Sequence, residues 1–418
     1  MGSPSGLEDG NLGEGGEGTS AVGLSSLIFL GTGCFNTVPN ARCLIQPSDP
    51  PCAVCTQSLY VPPEKNPNYR CNTSLLIDYC QDDGVHRYII IDVGKTFREQ
   101  VLRWFTHHKI PQVDSIILTH EHADAIFGLD DVRIVQSFIP FSPPNDIDPT
   151  PIYATKFTMD SIAIKFPYLM NKMWKEGQEV TPIAQLDWKV IESDPDKTFM
   201  ASGLEFVPLP VLHGEDYVSL GFLFGQQSRV AYISDVSRFP DSTENLISKS
   251  GGQLDLLIID TNSLHKVSSR STHLFFSESL DAVKRICPKQ ALLIGMTHDY
   301  DHHKLNVLLA EWSMRYEIRT FFSAHFKLIV GLGLSQYNAC LLGSNPRPQT
   351  CGQLRDGKRN LEREGSHACI GHHVHRPCYV STFFSSQKSY AVTNSPLTRS
   401  SACSNIVTLK SSMHGRQP

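Results

Sequence analysis

Val113-Asp114-Ser115-Ile116-Ile117-Leu118 runs directly into Thr119-His120-Glu121-His122-Ala123-Asp124. The first six residues read as a buried strand, and the next six place two imidazoles at i, i+2 with a carboxylate two positions on. That is the pattern of a metal-binding turn rather than a packing unit. The rest of the chain must then supply further ligands. Asp92 closes Ile89-Ile90-Ile91, His213 follows Val211-Leu212, Asp235 follows Tyr232-Ile233-Ser234, and His298 follows Leu293-Ile294-Gly295-Met296-Thr297. Taken singly, a histidine after a strand is more often a surface or hydrogen-bonded residue, and an aspartate there is usually a turn or helix cap. Recurrence of the same placement at every one of these strand ends favours one assembled site, built from residue types that hold Zn or Mn.

Composition bounds the remaining choices. The chain has 418 residues, 40% of them hydrophobic and 19% charged, which is enough to bury one large core. A net charge of -5 gives no bulk attraction for nucleic acid or an anionic membrane, so neither is expected as a partner and a polyanionic substrate must be captured locally. No apolar run approaches the roughly 18 to 20 residues of a membrane-spanning helix, and residues 1–23 lack the basic flank and apolar centre of a signal peptide. A cytoplasmic protein is the expectation. The 12 cysteines are spread along a long chain, which favours thiols or metal ligands over disulfides. Oligomeric state is not legible, a homodimer being compatible with the sequence.

Along the chain, residues 1–23 are rich in Gly, Ser and Glu and read as a disordered leader. Leu27-Ile28-Phe29-Leu30 is a short strand broken by Gly31-Thr32-Gly33, and residues 73–78 and 88–92 read as a strand pair joined by Gln81-Asp82-Asp83-Gly84. Residues 97–105 have helical spacing. Further strands are expected at 204–209, 219–224, 230–233, 256–260 and 291–294, with helices at 275–286 and 304–314. Strands running into helices in both halves predict an α/β fold, an αββα sandwich of two mixed sheets with outer helices.

These residues resemble the metallo-β-lactamase fold superfamily over about residues 24–314. Its HxHxDH signature is matched by His120, His122 and Asp124 but ends on Ala125, and its other blocks resemble those around Asp92, His213, Asp235 and His298. Gly31-Thr32-Gly33, Gly128-Leu129-Asp130-Asp131 and His273 are most similar to the cyclic-phosphate phosphodiesterase branch, whose best-known member opens the phosphoribosyl 1,2-cyclic phosphate ring. The resemblance implies two divalent ions, Mn or Zn, the first on His120, His122, His213 and a shared Asp235. The second would have Asp124, Asp235 and His298, one ligand short because alanine cannot coordinate. The implied chemistry is hydrolysis by metal-bound hydroxide, since such ions lower the pKa of water toward roughly 7. Asp92 would orient a ligand histidine, Asp124 would bind the second ion or hold the nucleophilic water, and His273 would protonate the leaving oxygen.

Cys43 with Pro51-Cys52-Ala53-Val54-Cys55 gathers three thiols, and the same branch carries a structural zinc there, completed by a histidine after the last block. His302 is the expected fourth ligand, with His303 as substitute. The polar loop at residues 140–151 carries no ligand signal, residues 158–175 read as a core helix or a lid, and Arg133, Lys156 and Lys165 are candidate anion contacts. After Arg319 the pattern no longer resembles the family's closing strand, which predicts an unpaired sheet edge. The domain boundaries are therefore drawn at 24–328, with 329–418 an atypical, disordered tail. Its Cys369, His372, His373, His375 and Cys378 offer donors with no element to present them.

Three functions fit these readings. The first is a metal-dependent phosphodiesterase acting on a small cyclic or nucleotide phosphate. The second is a thioester or RNA 3′-end hydrolase of the same fold, the RNA version disfavoured because no basic, aromatic-interleaved arm is present. The third is a non-catalytic metal-binding protein.

Overall fold

The long apolar runs of the chain form strands covered on both faces. The computed structural model describes residues 24–137, 148–170, 183–265 and 271–332. All of these lie in the first of two units, Met1–Arg347. The expected leader, Trp174 and the donors at residues 369–378 lie outside the described residues.

Among the described residues the first sheet contains β1 (Ser25–Gly31), β2 (Ser74–Cys80), β3 (His86–Ile91), β4 (Ser115–Ile117), β5 (Thr150–Thr155) and β6 (Leu186–Ile191). The second contains β7 (Phe199–Ala201), β8 (Leu204–Leu212), β9 (Val218–Phe224), β10 (Val230–Ile233), β11 (Leu256–Asp260), β12 (Gln290–Ile294) and β13 (Arg319–Phe322). A last strand, β14 (Lys327–Val330), returns to the first sheet. The strand orders are β14-β1-β2-β3-β4-β5-β6 and β13-β12-β11-β10-β9-β8-β7. Each sheet mixes parallel and antiparallel pairs, with β3 parallel to β4 and β10 parallel to β11 while β1 and β2 run antiparallel.

Alternation within the strands builds three apolar layers. Leu27, Phe29, Leu75, Ile77, Ile89 and Ile91 meet Phe206, Phe222, Tyr232, Ile258 and Leu292 between the sheets. Their neighbours Ile28, Leu30, Leu76 and Ile90 face outward onto Phe97, Trp104, Phe105, Met159 and Ile162 of the helical segments Phe97–Gln100, Val101–Phe105 and Lys156–Lys165. On the far side, Leu257, Ile259, Ala291 and Leu293 pack under the helices Phe276–Ile286 and His302–Tyr316. Burial on both faces is why these strands read as unbroken hydrophobic runs. Thr158, Met159 and Ile162 are buried, so the described part of the 158–175 segment is core helix rather than lid.

The expected unpaired edge is corrected by β14. Ser25, Ser26, Leu27 and Ile28 pair antiparallel with Val330, Ile329, Leu328 and Lys327. Leu328, Val330 and Leu332 enter the layer between the sheets, so packing extends past residue 328, where the pattern had placed the domain's end. A four-residue strand holds only two inward side chains, too few for periodicity to register.

Histidines fasten this closing segment. His325 Nδ1 donates to the Phe29 carbonyl at 2.6 Å, its Nε2 accepts from His108 Nε2 at 3.1 Å, and its ring stacks on Trp104. Burial pushes both imidazoles down, His325 to about 3 and His108 to about 4. The unfolded chain therefore takes up protons first, at about 6.5, and the native state loses stability as pH falls from there toward 4. Denaturant midpoints should drop between pH 6.5 and 5, and the drop should be smaller in His325→Gln. An identical pH slope in that variant would remove His325 from the account.

Candidate active site

The ends of the strands deliver the site. Asp92 follows β3 with φ of 64°, a left-handed conformation that aspartate tolerates better than most residues. Its Oδ1 accepts from the Thr119 amide at 2.9 Å and its Oδ2 from the Thr119 hydroxyl at 2.8 Å. Burial pushes Asp92 up, against those two donors. With Asp92 ionised, the hydroxyl proton points to Oδ2, so Thr119 Oγ1 accepts from His120 Nδ1 at 2.8 Å. The tautomer of His120 is then set. Its Nε2 is bare, buried and without a hydrogen-bond partner, and burial holds the ring neutral by lowering its pKa to about 3.

His213 is fixed in the same sense. Its Nδ1 donates to the Thr272 carbonyl at 2.6 Å, so its Nε2 is bare and stands 3.3 Å from His122 Nδ1. Nitrogens of His120, His122 and His213 all lie within 4.8 Å of one another. Neutral imidazoles so arranged can each aim one lone pair at a common point, and three of them fit a divalent ion of the zinc type. The cradle needs Gly94, because a Cβ there would stand 1.9 Å from the Asp124 carbonyl oxygen.

Asp235, after β10, adds the carboxylate. Burial pushes it up, but His120, His213 and His273 outweigh that and hold it below the usual carboxylate range. One oxygen of Asp235 lies within 4.8 Å of nitrogens from His213 and His273. His273 Nδ1 is 2.7 Å from Oδ2 of the fully buried Asp260 and 3.9 Å from Asp235 Oδ1. Burial would lower His273, yet the Asp260 carboxylate lifts it to about 9. Asp124 lies beside Asp235 but joins neither donor group, and burial raises it to about 6.

A sequence model of the beta-lactamase superfamily domain matches residues 87–296, half of the chain, and spans this set from Asp92 to His273. The chain belongs to that superfamily. Among solved structures, a diphosphatase of the PhnP family is 27% identical with a TM-score of 0.56, covering 74% of this chain and 98% of that one. Zn-bound PqqB from Methylobacterium extorquens, at 14% identity and TM-score 0.51 over 72% of this chain and 99% of its own, shares the fold. An octanoyltransferase of Porphyromonas gingivalis is 28% identical over 277 residues, 66% of this chain and 47% of that protein. The chain thus spans about half the length of the curated relative it matches.

Within this β-lactamase superfamily chain His298 takes the place expected for His302. His298, expected beside Asp124 and Asp235, instead points Nδ1 at Cys43 Sγ and Cys52 Sγ, 3.4 Å from each. Cys43, Cys52, Cys55 and His298 form one group within 4.8 Å, and His302 is not part of it. His302 Nε2 bonds the Asn306 amide at 3.1 Å and its backbone N–H donates to Asn68, because the helix starts there, capped by Asp301. The physical reason is the loop between. Gly295, at φ of 78°, turns the chain out of β12, and buried Arg70 grips the Thr297 and Tyr300 carbonyls on either side of His298. Burial raises the thiols of Cys43 and Cys55, the latter to about 12, so gathered thiolates there call for a cation. Three sulfurs and one imidazole nitrogen suit tetrahedral zinc.

Other participants had no strong signal. Asp260 ends a buried strand as Asp92 nearly does, and that parallel could have flagged it. Thr119 and Thr272 act through a hydroxyl and a carbonyl, which no motif marks. Tyr217 stacks on His122 with ring centroids 5.2 Å apart and donates its hydroxyl to Glu121. Of the candidate anion contacts, Lys156 pairs with Asp160, Arg133 donates to the Ile183 carbonyl, and Lys165 to that of Glu121. Lys95 instead brings positive charge to the site, where Asp124 feels it. Among the described residues no helix is long and apolar enough to cross a membrane.

Proposed function

We propose that this metallo-β-lactamase-fold hydrolase is a metal-dependent phosphodiesterase that opens a small cyclic or nucleotide phosphate ester. One observation carries the reading, the convergence of ring nitrogens from His120, His122 and His213, with Asp235 sharing His213. A divalent ion bound there supplies Lewis acidity, polarising a phosphoryl oxygen and making water nucleophilic at neutral pH. Asp92 holds His120 in its ligating tautomer through Thr119. Asp124, lifted to about 6, accepts the proton of the attacking water. His273, kept protonated by Asp260, donates to the departing oxygen. Lys95, whose Nζ donates to the Phe35 carbonyl at 2.7 Å, has further donors for a phosphate oxygen. The PhnP family diphosphatase supports a phosphate substrate.

The test is turnover of a chromogenic phosphodiester and of a five-membered cyclic phosphate by chelator-stripped protein, with Mn or Zn restored. Wild type should recover activity and Asp235→Ala should not. Hydrolysis of a thioester in place of both phosphates, or silence from folded, metal-loaded protein, would reject the proposal.

A further inference from the structure

We infer that the active centre of this chain is built for one ion, where its sequence pattern suggests two. The inference rests on the reading of His120, His122 and His213 as ligands, and a count of donors carries it. A neutral imidazole has one in-plane lone pair, whereas a carboxylate can serve two ions at once. His213 commits Nδ1 to the Thr272 carbonyl and keeps only Nε2. His213 is common to both donor groups, His120 with His122 and His213, and His213 with Asp235 and His273, and Nε2 is the one nitrogen it has left to offer either. An ion seated on the three histidines occupies it.

The second group is then left with Asp235 and His273, two donors where zinc takes four. His273 already has one ring nitrogen held by Asp260. The residues that would restore the number are absent or engaged. Position 125 is an alanine, 1% exposed and packed among Val93, Phe97 and Ile126. His298 faces the cysteines, and Asp124 joins neither group. The two departures reinforce each other, since the loop that carries His298 to Cys43 and Cys52 withdraws it from Asp235. Asp235, which shares His213 with the three-histidine group, therefore has one ion beside it and no second to bridge to.

Two measurements on the full chain test this. The first is native mass spectrometry of zinc-loaded protein, comparing wild type with the triple variant His120→Ala, Asp124→Ala, Asp235→Ala. The second is zinc X-ray absorption of wild type alone, which does not depend on how the variant folds. One ion lost per chain, with no metal–metal scattering at about 3.5–4 Å, is expected. Loss of two ions, or a metal–metal vector at that distance, would overturn the one-ion centre while leaving the hydrolase reading intact. Retention of every ion by the folded triple variant would end both, because no ion would then be bound by these residues.

Discussion

Asp260→Asn is expected to lower phosphodiester turnover by about 10²- to 10⁴-fold, the usual worth of a positioned proton donor. The substitution preserves shape but removes the charge 2.7 Å from His273 Nδ1. Asp260 is fully buried and Gly295 packs against it, since a Cβ at that glycine would stand 2.3 Å from Asp260 Oδ1. A general acid must hold its proton, so wild-type activity should fall as pH rises through a limit no higher than about 9, a cation at the histidines pulling that value down. In the variant the alkaline limb should move toward about 6.5, the value of an unassisted imidazole. Metal content should not change. An unshifted limb in Asp260→Asn, with kcat intact, would show that His273 is not the donor.

Arg70→Ala should have the largest effect on stability, about 3–5 kcal/mol. Arg70 is 1% exposed, and its guanidinium donates to the Thr297 and Tyr300 carbonyls and to Asn68 Oδ1. Burial already lowers it to about 10, so the charge is tolerated only because those oxygens surround it. Alanine takes a donor from each carbonyl, leaving Thr297 only the long bond from the Tyr300 amide, and opens a cavity the size of the side chain. Because the same two carbonyls flank His298, the variant, once loaded with zinc, should also yield an ion held by the cysteine group to a chelator faster than wild type does. Denaturant unfolding and chelator-competition rates give both numbers. A loss under about 1 kcal/mol with unchanged zinc release would mean that the loop is held by other bonds.

Most of the architecture was legible because burial leaves a residue-level trace. Ile89, Ile90 and Ile91, or Leu256 to Ile259, are apolar without interruption because a second sheet covers one face and helices the other. The candidate ligands at the ends of β4, β8 and β10 were legible for a related reason, since charged and imidazole groups at the mouths of buried strands have few structural uses. β14 was not, because only two of its four side chains, Leu328 and Val330, enter the core, and its backbone pairing with β1 is one that any sequence can make.

The sequence by itself determined the two-sheet sandwich, the convergence of His120, His122, His213 and Asp235, and the gathering of three cysteines. Each of these follows from residue type and local spacing, which the chain carries in linear order. Only the tertiary structure decided which group His298 serves, that His302 stands apart, and that Asp260 rather than solvent faces His273. The first two outcomes depend on the direction in which a loop leaves its strand. That direction is set by a positive φ at Gly295 and by the grip of Arg70, 225 positions earlier, on two backbone carbonyls. A contact between a side chain and a distant carbonyl leaves no periodicity and no motif, so it could be found only once the chain was folded.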